Sequence, residues 1–184
     1  EALGLPGLEA LAGVMSHARS LGVPVILDAK RGDIGSTAEA YAAAYLGDGD
    51  LAADALTVNP YLGLDTLEPF IAAAVRGGRG LFVLVRTSNP GSADLQELEL
   101  AGGEPLYLRL ARALAKRAVS LPRDQQGYTA LGAVAGATQS EAIRLLRSTL
   151  PDGLLLMPGY GAQGGAAADI AHAFDPEGFG AVVN

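Results

Sequence analysis

Cysteine is absent from the 184 residues. Without thiols there can be no disulfide framework, no thiolate metal site and no cysteine nucleophile, a composition that fits a reducing compartment. The two histidines, His17 and His172, lie in helix-like segments away from every strand end, and nothing around them has zinc-ligand spacing. They read as surface or packing residues. A Gly-x-Ser-x-Gly nucleophile elbow is missing as well. Positive charge is in short supply: 13 Lys and Arg against 20 Asp and Glu leave a net charge of -7, which argues against a general nucleic-acid binder. No apolar run reaches the roughly 18 residues that span a bilayer, and the N-terminus lacks the basic start of a signal peptide. The expectation is a soluble, cytoplasmic protein whose partner is a small molecule, with no nucleic acid and no membrane.

What the chain does have is apolar residues, 49% of the total, enough for one domain over 1–184 with a substantial core. Leu8, Leu11, Ala12 and Met15 recur at helical spacing, and Gly22 with Pro24 closes that helix. A strand at Val23–Leu27 follows, then a helix at Ala38–Leu46, a strand near Ala55–Asn59, a helix near Asp65–Arg76 and a strand at Leu81–Arg86. After a loop from Thr87 to Gly103 come a helix at Pro105–Ala118, a polar connection, a strand at Leu131–Ala135, another helix, and strands at Leu154–Met157 and Gly180–Val183. Ser36 with Glu39, Asp65 with Glu68, and Thr138 with Glu141 have the spacing of capping residues ahead of their helices. Such alternation predicts a parallel α/β sheet, either doubly wound or closed as a (β/α)8 TIM barrel. Six strands form an open sheet with no missing pieces, but the placement of polar residues favours the barrel. Asp28, Lys30, Asn59, Ser88, Thr138 and Gln163 all fall at or just after the C-terminal ends of strands, the face on which barrel enzymes build their sites.

The densest chemistry lies in Asp28-Ala29-Lys30-Arg31-Gly32-Asp33-Ile34-Gly35-Ser36-Thr37. The preceding apolar run reads as a strand buried on both faces, so Asp28 marks its exit from the core. Alternation puts Asp28 and Lys30 on one side, about 7 Å apart along the chain, close enough for their charged ends to meet. Thr57-Val58-Asn59-Pro60-Tyr61 ends a second strand with polar groups, and Arg86-Thr87-Ser88-Asn89-Pro90-Gly91 opens a loop whose hydroxyl and amide groups suit the edge of a base. In Pro158-Gly159-Tyr160-Gly161-Ala162-Gln163-Gly164-Gly165, glycines allow backbone N–H groups to converge on an anion, with Gln163 as a side-chain donor. The loop follows the penultimate strand, where barrels often hold phosphate. It lacks the Gly-Lys-Ser/Thr ending of a P-loop and the glycine spacing of a dinucleotide site.

Asp-x-Lys-x-x-Asp-Ile-x-x-Thr resembles the signature of the orotidine 5'-monophosphate decarboxylases, and Asp28 to Thr37 as a whole is similar to their longer bacterial subgroup, type 2. The loop Thr87 to Gly91, Gly132 to Thr138 and Pro158 to Gly165 extend the resemblance, in the family's order, over essentially the whole chain. The resemblance implies a (β/α)8 barrel that converts orotidine 5'-monophosphate to UMP and carbon dioxide in de novo pyrimidine biosynthesis, without metal or organic cofactor. It implies that Lys30 donates the proton that replaces the carboxylate on C6, and that Asp28 faces that carboxylate. Asp33 and Thr37 would reach into the neighbouring subunit's site in a homodimer with shared active sites, Asp33 completing the charged array and Thr37 binding the ribose. Ser88 would contact the pyrimidine. Gln163 and the nearby backbone, with Pro158 and Gly164, would hold the phosphate.

The family also uses an Asp and a Lys from an earlier strand and an Arg from the loop after the last strand, and the sequence starts after the first two and stops before the third. The expectation is therefore a barrel without its first strands and its last loop and helix, inactive as such if the natural chain lacks them. Two rivals share the motifs. One is a magnesium-dependent sugar-phosphate decarboxylase or aldolase of the same superfamily, against which the Asn-Pro-Gly and Gly-Ala-Gln-Gly-Gly stretches weigh. The other is a non-catalytic phosphate-binding barrel, which would bind tightly without turnover.

Overall fold

The computed structural model describes residues 2–161 and 165–184. The chain divides into two compact units, Glu1–Leu81 and Phe82–Asn184. In the first, helix α1 (Gly4–Ser20) leads to strand β1 (Ile26–Arg31), helix α2 (Gly35–Leu46), strand β2 (Ala55–Val58), a 3-10 turn (Leu64–Leu67), helix α3 (Glu68–Gly77) and the start of strand β3 (Gly80–Arg86). Ala38, Ala42 and Leu46 recur every fourth residue of α2 and are all buried, so the helix offers a narrow, flat stripe. It packs on α3, which buries Phe70, Ile71, Ala73 and Ala74. Gly78 closes α3 in the left-handed conformation that glycine adopts without strain. On α1 the expected apolar stripe buries only Met15.

In the second unit β3 continues into a 3-10 turn (Pro90–Ser92) and helix α4 (Ala93–Gln96), followed by α5 (Leu106–Ala118), β4 (Leu131–Ala135), α6 (Ser140–Thr149), β5 (Leu155–Met157), α7 (Ala167–Ile170) and β6 (Ala181–Val183). Helices α5 and α6 pack together, burying Ala111 and Leu114 on one and Ile143 and Leu146 on the other. Strands β4 and β5 are buried throughout.

Strand order decides the fold class. In the first unit the strands run β1-β2-β3, and in the second β3-β4-β5-β6, with β1–β2, β4–β5 and β5–β6 all parallel. A doubly wound sheet must reverse direction at a switch point. This order never reverses, which is the pattern of a (β/α)8 barrel, here represented by six strands among the described residues.

Several local expectations need correction. Strand β1 starts at Ile26 and runs three residues past Asp28, and it is half-buried rather than covered on both faces. Pro24 has no N–H for a ladder, and Val23 is exposed. None of the three capping pairs forms. Helix α2 already begins at Gly35, behind an extended Ile34, which puts Ser36 inside the first turn. Helix α3 is entered from the 3-10 turn, so the residue before it, Leu67, is already helical and leaves Asp65 no capping position. At α6 the cap residue is Gln139, whose side chain is engaged elsewhere.

Candidate active site

Where β1 passes β2 the register slips. Leu27 lies opposite Leu56, but Arg31 lies opposite Val58, so four steps along β1 match two along β2. A bulge of this kind re-aims side chains at a sheet rim. Within it Lys30 has φ +49°, and it is the one non-glycine residue with positive φ among the described residues. The Lys30 ammonium reaches Asp28 Oδ2 at 2.5 Å. The two charges therefore meet as their spacing predicts, although through a bulge rather than through regular alternation. Both side chains are about half exposed, 50% for Lys30 and 59% for Asp28, so the pair is open to a ligand.

Thr57, on β2, completes the cluster from below. Its side chain is fully buried, its hydroxyl donates to Asp28 Oδ1 at 2.9 Å, and it accepts the Lys30 backbone N–H at 2.9 Å. Past the bulge, Asn59 N–H donates to Arg31 O at 2.7 Å, and a Cβ on Gly32 would sit 2.7 Å from Asn59 O. Only glycine permits that approach. Asp33 does not join the Asp28–Lys30 pair: its carboxylate accepts the Ile34 N–H at 2.9 Å and makes no ion pair among the described residues. Thr37 is exposed in the first turn of α2, beside Ile34, which is 62% exposed.

In the second unit Arg86 closes β3, and its guanidinium is almost wholly buried. It donates to Thr87 O (3.1 Å), Gln96 Oε1 (3.4 Å) and Gln139 Oε1 (3.0 Å), and also to Ser92 Oγ and the Glu97 carboxylate. Gln96 in turn accepts the Thr87 N–H at 2.8 Å. One arginine thus ties down both ends of the 87–97 loop, which carries Ser88. Ser88 is half-buried and lies against Gly136, where a Cβ would be 2.7 Å from Ser88 N.

In the described part of the glycine-rich loop the backbone N–H groups meet backbone acceptors. The N–H groups of Gly159 and Tyr160 donate to Asn184 O, that of Gly161 to Gly165 O and that of Gly165 to Gly159 O. Two successive donors thus share one acceptor, Asn184 O, and the other two bonds close the loop on itself. Pro158 accepts the Ala137 N–H at 3.0 Å through its carbonyl. Gln163 and Gly164 lie outside the described residues.

A separate cleft of about 470 Å³ lies before β4, β5 and β6, lined by Arg123, Tyr128, Arg147, Asp152 and Asp175 among others. Arg123 pairs with Asp152 at 2.6 Å, the Tyr128 hydroxyl donates to Asp175 at 2.7 Å, and Arg147 donates to the Pro151 and Gly153 carbonyls. Burial, helped by the Asp175 hydrogen bond, pushes the Tyr128 phenol up to about 12. Apart from the buried Arg147 Nε, these groups are paired at the N-terminal ends of the strands, the face that serves stability in barrels.

The contacts of Thr57 in the first unit, and of Arg86, Gln96 and Gln139 in the second, go beyond what the sequence motifs specify. The signal for two of them was present: a hydroxyl inside the otherwise apolar Ala55-Leu56-Thr57-Val58, and a charge closing the apolar run Leu81–Val85. Nothing local marked Gln96 or Gln139.

Comparison with known proteins accords with this arrangement. The sequence model of the orotidine 5'-phosphate decarboxylase / HUMPS family matches residues 3–180. The orotidine 5'-phosphate decarboxylases of Rhodopirellula baltica and Deinococcus radiodurans are 49% and 48% identical to the chain over its full length, covering 62% and 65% of their own. The chain thus spans less than two thirds of these curated relatives. Leishmania donovani OMP decarboxylase superposes with a TM-score of 0.82 at 36% identity, over 98% of this chain and 66% of that one. Leishmania donovani UMP synthase superposes with a TM-score of 0.81 at 40% identity, over 98% and 38%. Strands in barrel order, a lysine–aspartate pair on a bulged strand rim and a match from one end to the other place this chain in the orotidine 5'-phosphate decarboxylase / HUMPS family.

Proposed function

We propose that the protein is an orotidine 5'-phosphate decarboxylase, a carboxy-lyase that converts orotidine 5'-monophosphate to UMP and carbon dioxide in the cytoplasm, with no metal or organic cofactor. The observation that carries this reading is the half-exposed Lys30 ammonium held against Asp28 at 2.5 Å. In the reaction the bond from C6 to the carboxylate breaks and its electron pair stays on C6, on a ring that delocalises it poorly. Charge must be stabilised where it develops, and a fixed ammonium does that and then supplies the proton that completes UMP. Asp28 faces the departing carboxylate. Two such charges repel by roughly 4 kcal/mol at about 4 Å and an effective dielectric of about 20, and the repulsion ends when carbon dioxide leaves.

The remaining roles are part of the same proposal. Asp33 and Thr37 serve the neighbouring subunit of a homodimer, a reading supported by the exposure of Thr37 and Ile34 and by the absence of Asp33 from its own chain's Asp28–Lys30 pair. Ser88 contacts the pyrimidine, supported by the anchoring of its loop through Arg86. Pro158, Gln163 and Gly164 hold the phosphate, whose binding energy closes the site over the ring.

The test is loss of orotidine 5'-monophosphate absorbance with the natural full-length protein and with Lys30→Ala, each with and without a chelator. Turnover that survives the chelator and disappears in Lys30→Ala is expected. Absence of turnover in folded full-length protein would overturn the reading and direct the search to sugar phosphates with magnesium. Tight phosphate-ester binding unaffected by Lys30→Ala, with no product, would mark a non-catalytic barrel.

A further inference from the structure

We propose that Thr57 is a positioning residue for the Lys30–Asp28 pair, an inference that rests on the decarboxylase reading. Thr57 is the one polar side chain on β2, whose other residues are Ala55, Leu56 and Val58, and it is fully buried. A hydroxyl in that setting must be satisfied by its neighbours. It has two, and their chemistry fixes its orientation. The Lys30 backbone N–H can only donate, so at 2.9 Å it occupies a lone pair on Thr57 Oγ1. The hydroxyl hydrogen is then directed to Asp28 Oδ1, also at 2.9 Å. Asp28 accepts that hydrogen through one carboxyl oxygen. Its second oxygen receives the Lys30 ammonium.

The location matters as much as the bonds. Between Leu27 and Arg31 the β1–β2 register shifts and Lys30 turns into the left-handed region. Thr57 supplies from a side chain the acceptor that the Lys30 N–H takes within this irregular stretch, and it pins the bulge to the neighbouring strand. A single hydroxyl therefore sets the backbone of the proton donor and the direction of the carboxylate together. It touches no reacting atom and acts through the two residues that do.

Thr57→Val removes the hydroxyl at nearly constant volume, and Thr57→Ser keeps it. In the full-length protein, Thr57→Val is expected to lower kcat by about 10- to 100-fold, the scale of a misplaced reacting group, with KM for the nucleotide changed less than about threefold. Thr57→Ser should retain kcat within about threefold of wild type. Amide hydrogen exchange at Lys30, which needs no substrate, should accelerate at least about tenfold in Thr57→Val and stay slow in Thr57→Ser. Unchanged exchange in Thr57→Val, or a Ser variant as impaired as the Val variant, would overturn the role of Thr57. A wild-type protein that does not turn over would sink the decarboxylase reading instead, since the exchange result stands apart from activity.

Discussion

Replacing Gly136 by alanine would place a methyl carbon 2.7 Å from Ser88 N, 2.8 Å from Ser88 Cα and 2.9 Å from Ser88 Cβ. Ordinary contact begins near 3.4 Å, so backbone has to retreat by about half an ångström or more. Neither side yields easily. The Gly136 N–H donates to Arg86 O at 2.7 Å, and Arg86 and Thr87 are held through Gln96, Gln139 and the Glu97 carboxylate. Overpacking against a fixed backbone costs about 1–3 kcal/mol, and a chain of this length loses about 2–4 °C of melting temperature per kcal/mol. Gly136→Ala is therefore expected to melt about 4–8 °C lower, near the middle of that range. On the proposed function it also binds nucleotide more weakly, because Ser88 is displaced. The comparison is Gly13→Ala in the interior of α1, where a Cβ meets nothing within 4 Å and alanine should stabilise by about 0.5–1 kcal/mol. Thermal melts followed by circular dichroism measure both. A Gly136→Ala protein within about 1 °C of wild type, or a Gly13→Ala protein destabilised to the same extent, would refute the close-packing argument.

Two further outcomes follow from buried polar groups. Arg86→Met strips the 87–97 loop of its anchor; because Glu97 is half exposed and rehydrates, the cost falls below that of a fully buried pair, at about 2–3 kcal/mol. An unchanged urea midpoint with no new protease sensitivity in the loop would contradict it. The Tyr128 phenol sits near 12 in the folded protein against 10.0 ordinarily. A folded value raised in this way favours the fold fully below about pH 10 and loses that contribution as pH rises toward 12, because the unfolded chain ionises first. The stability advantage of wild type over Tyr128→Phe should then shrink between about pH 10 and pH 12. A gap that stays constant would exclude the linkage.

Much of the fold was legible because its signals are local. The spacing of Ala38, Ala42 and Leu46, the apolar runs at Leu81–Val85 and Leu131–Ala135, and Gly77-Gly78 each specify an element or its end without reference to the rest. Helix starts were less legible, since a capping pair such as Asp65 and Glu68 competes with the turn that precedes the helix, and the sequence does not reveal that a 3-10 turn is there. In the first unit the Asp28–Lys30 contact follows from two residues in one strand, whereas Thr57 joins it from β2; in the second, Gln139 reaches Arg86 from 53 residues away. Their contribution depends on register. A two-residue slip between β1 and β2 leaves no mark in the composition of either strand.

The left-handed backbone at Lys30 sets two demands that no single side chain meets. The local conformation is one in which glycine is at ease and a long side chain is strained, at a cost on the order of 1 kcal/mol. On the proposed function the same position must carry an ammonium. Thermal robustness and turnover therefore pull against each other at Lys30: a screen that rewards heat tolerance alone would draw this position toward glycine and discard the proton donor.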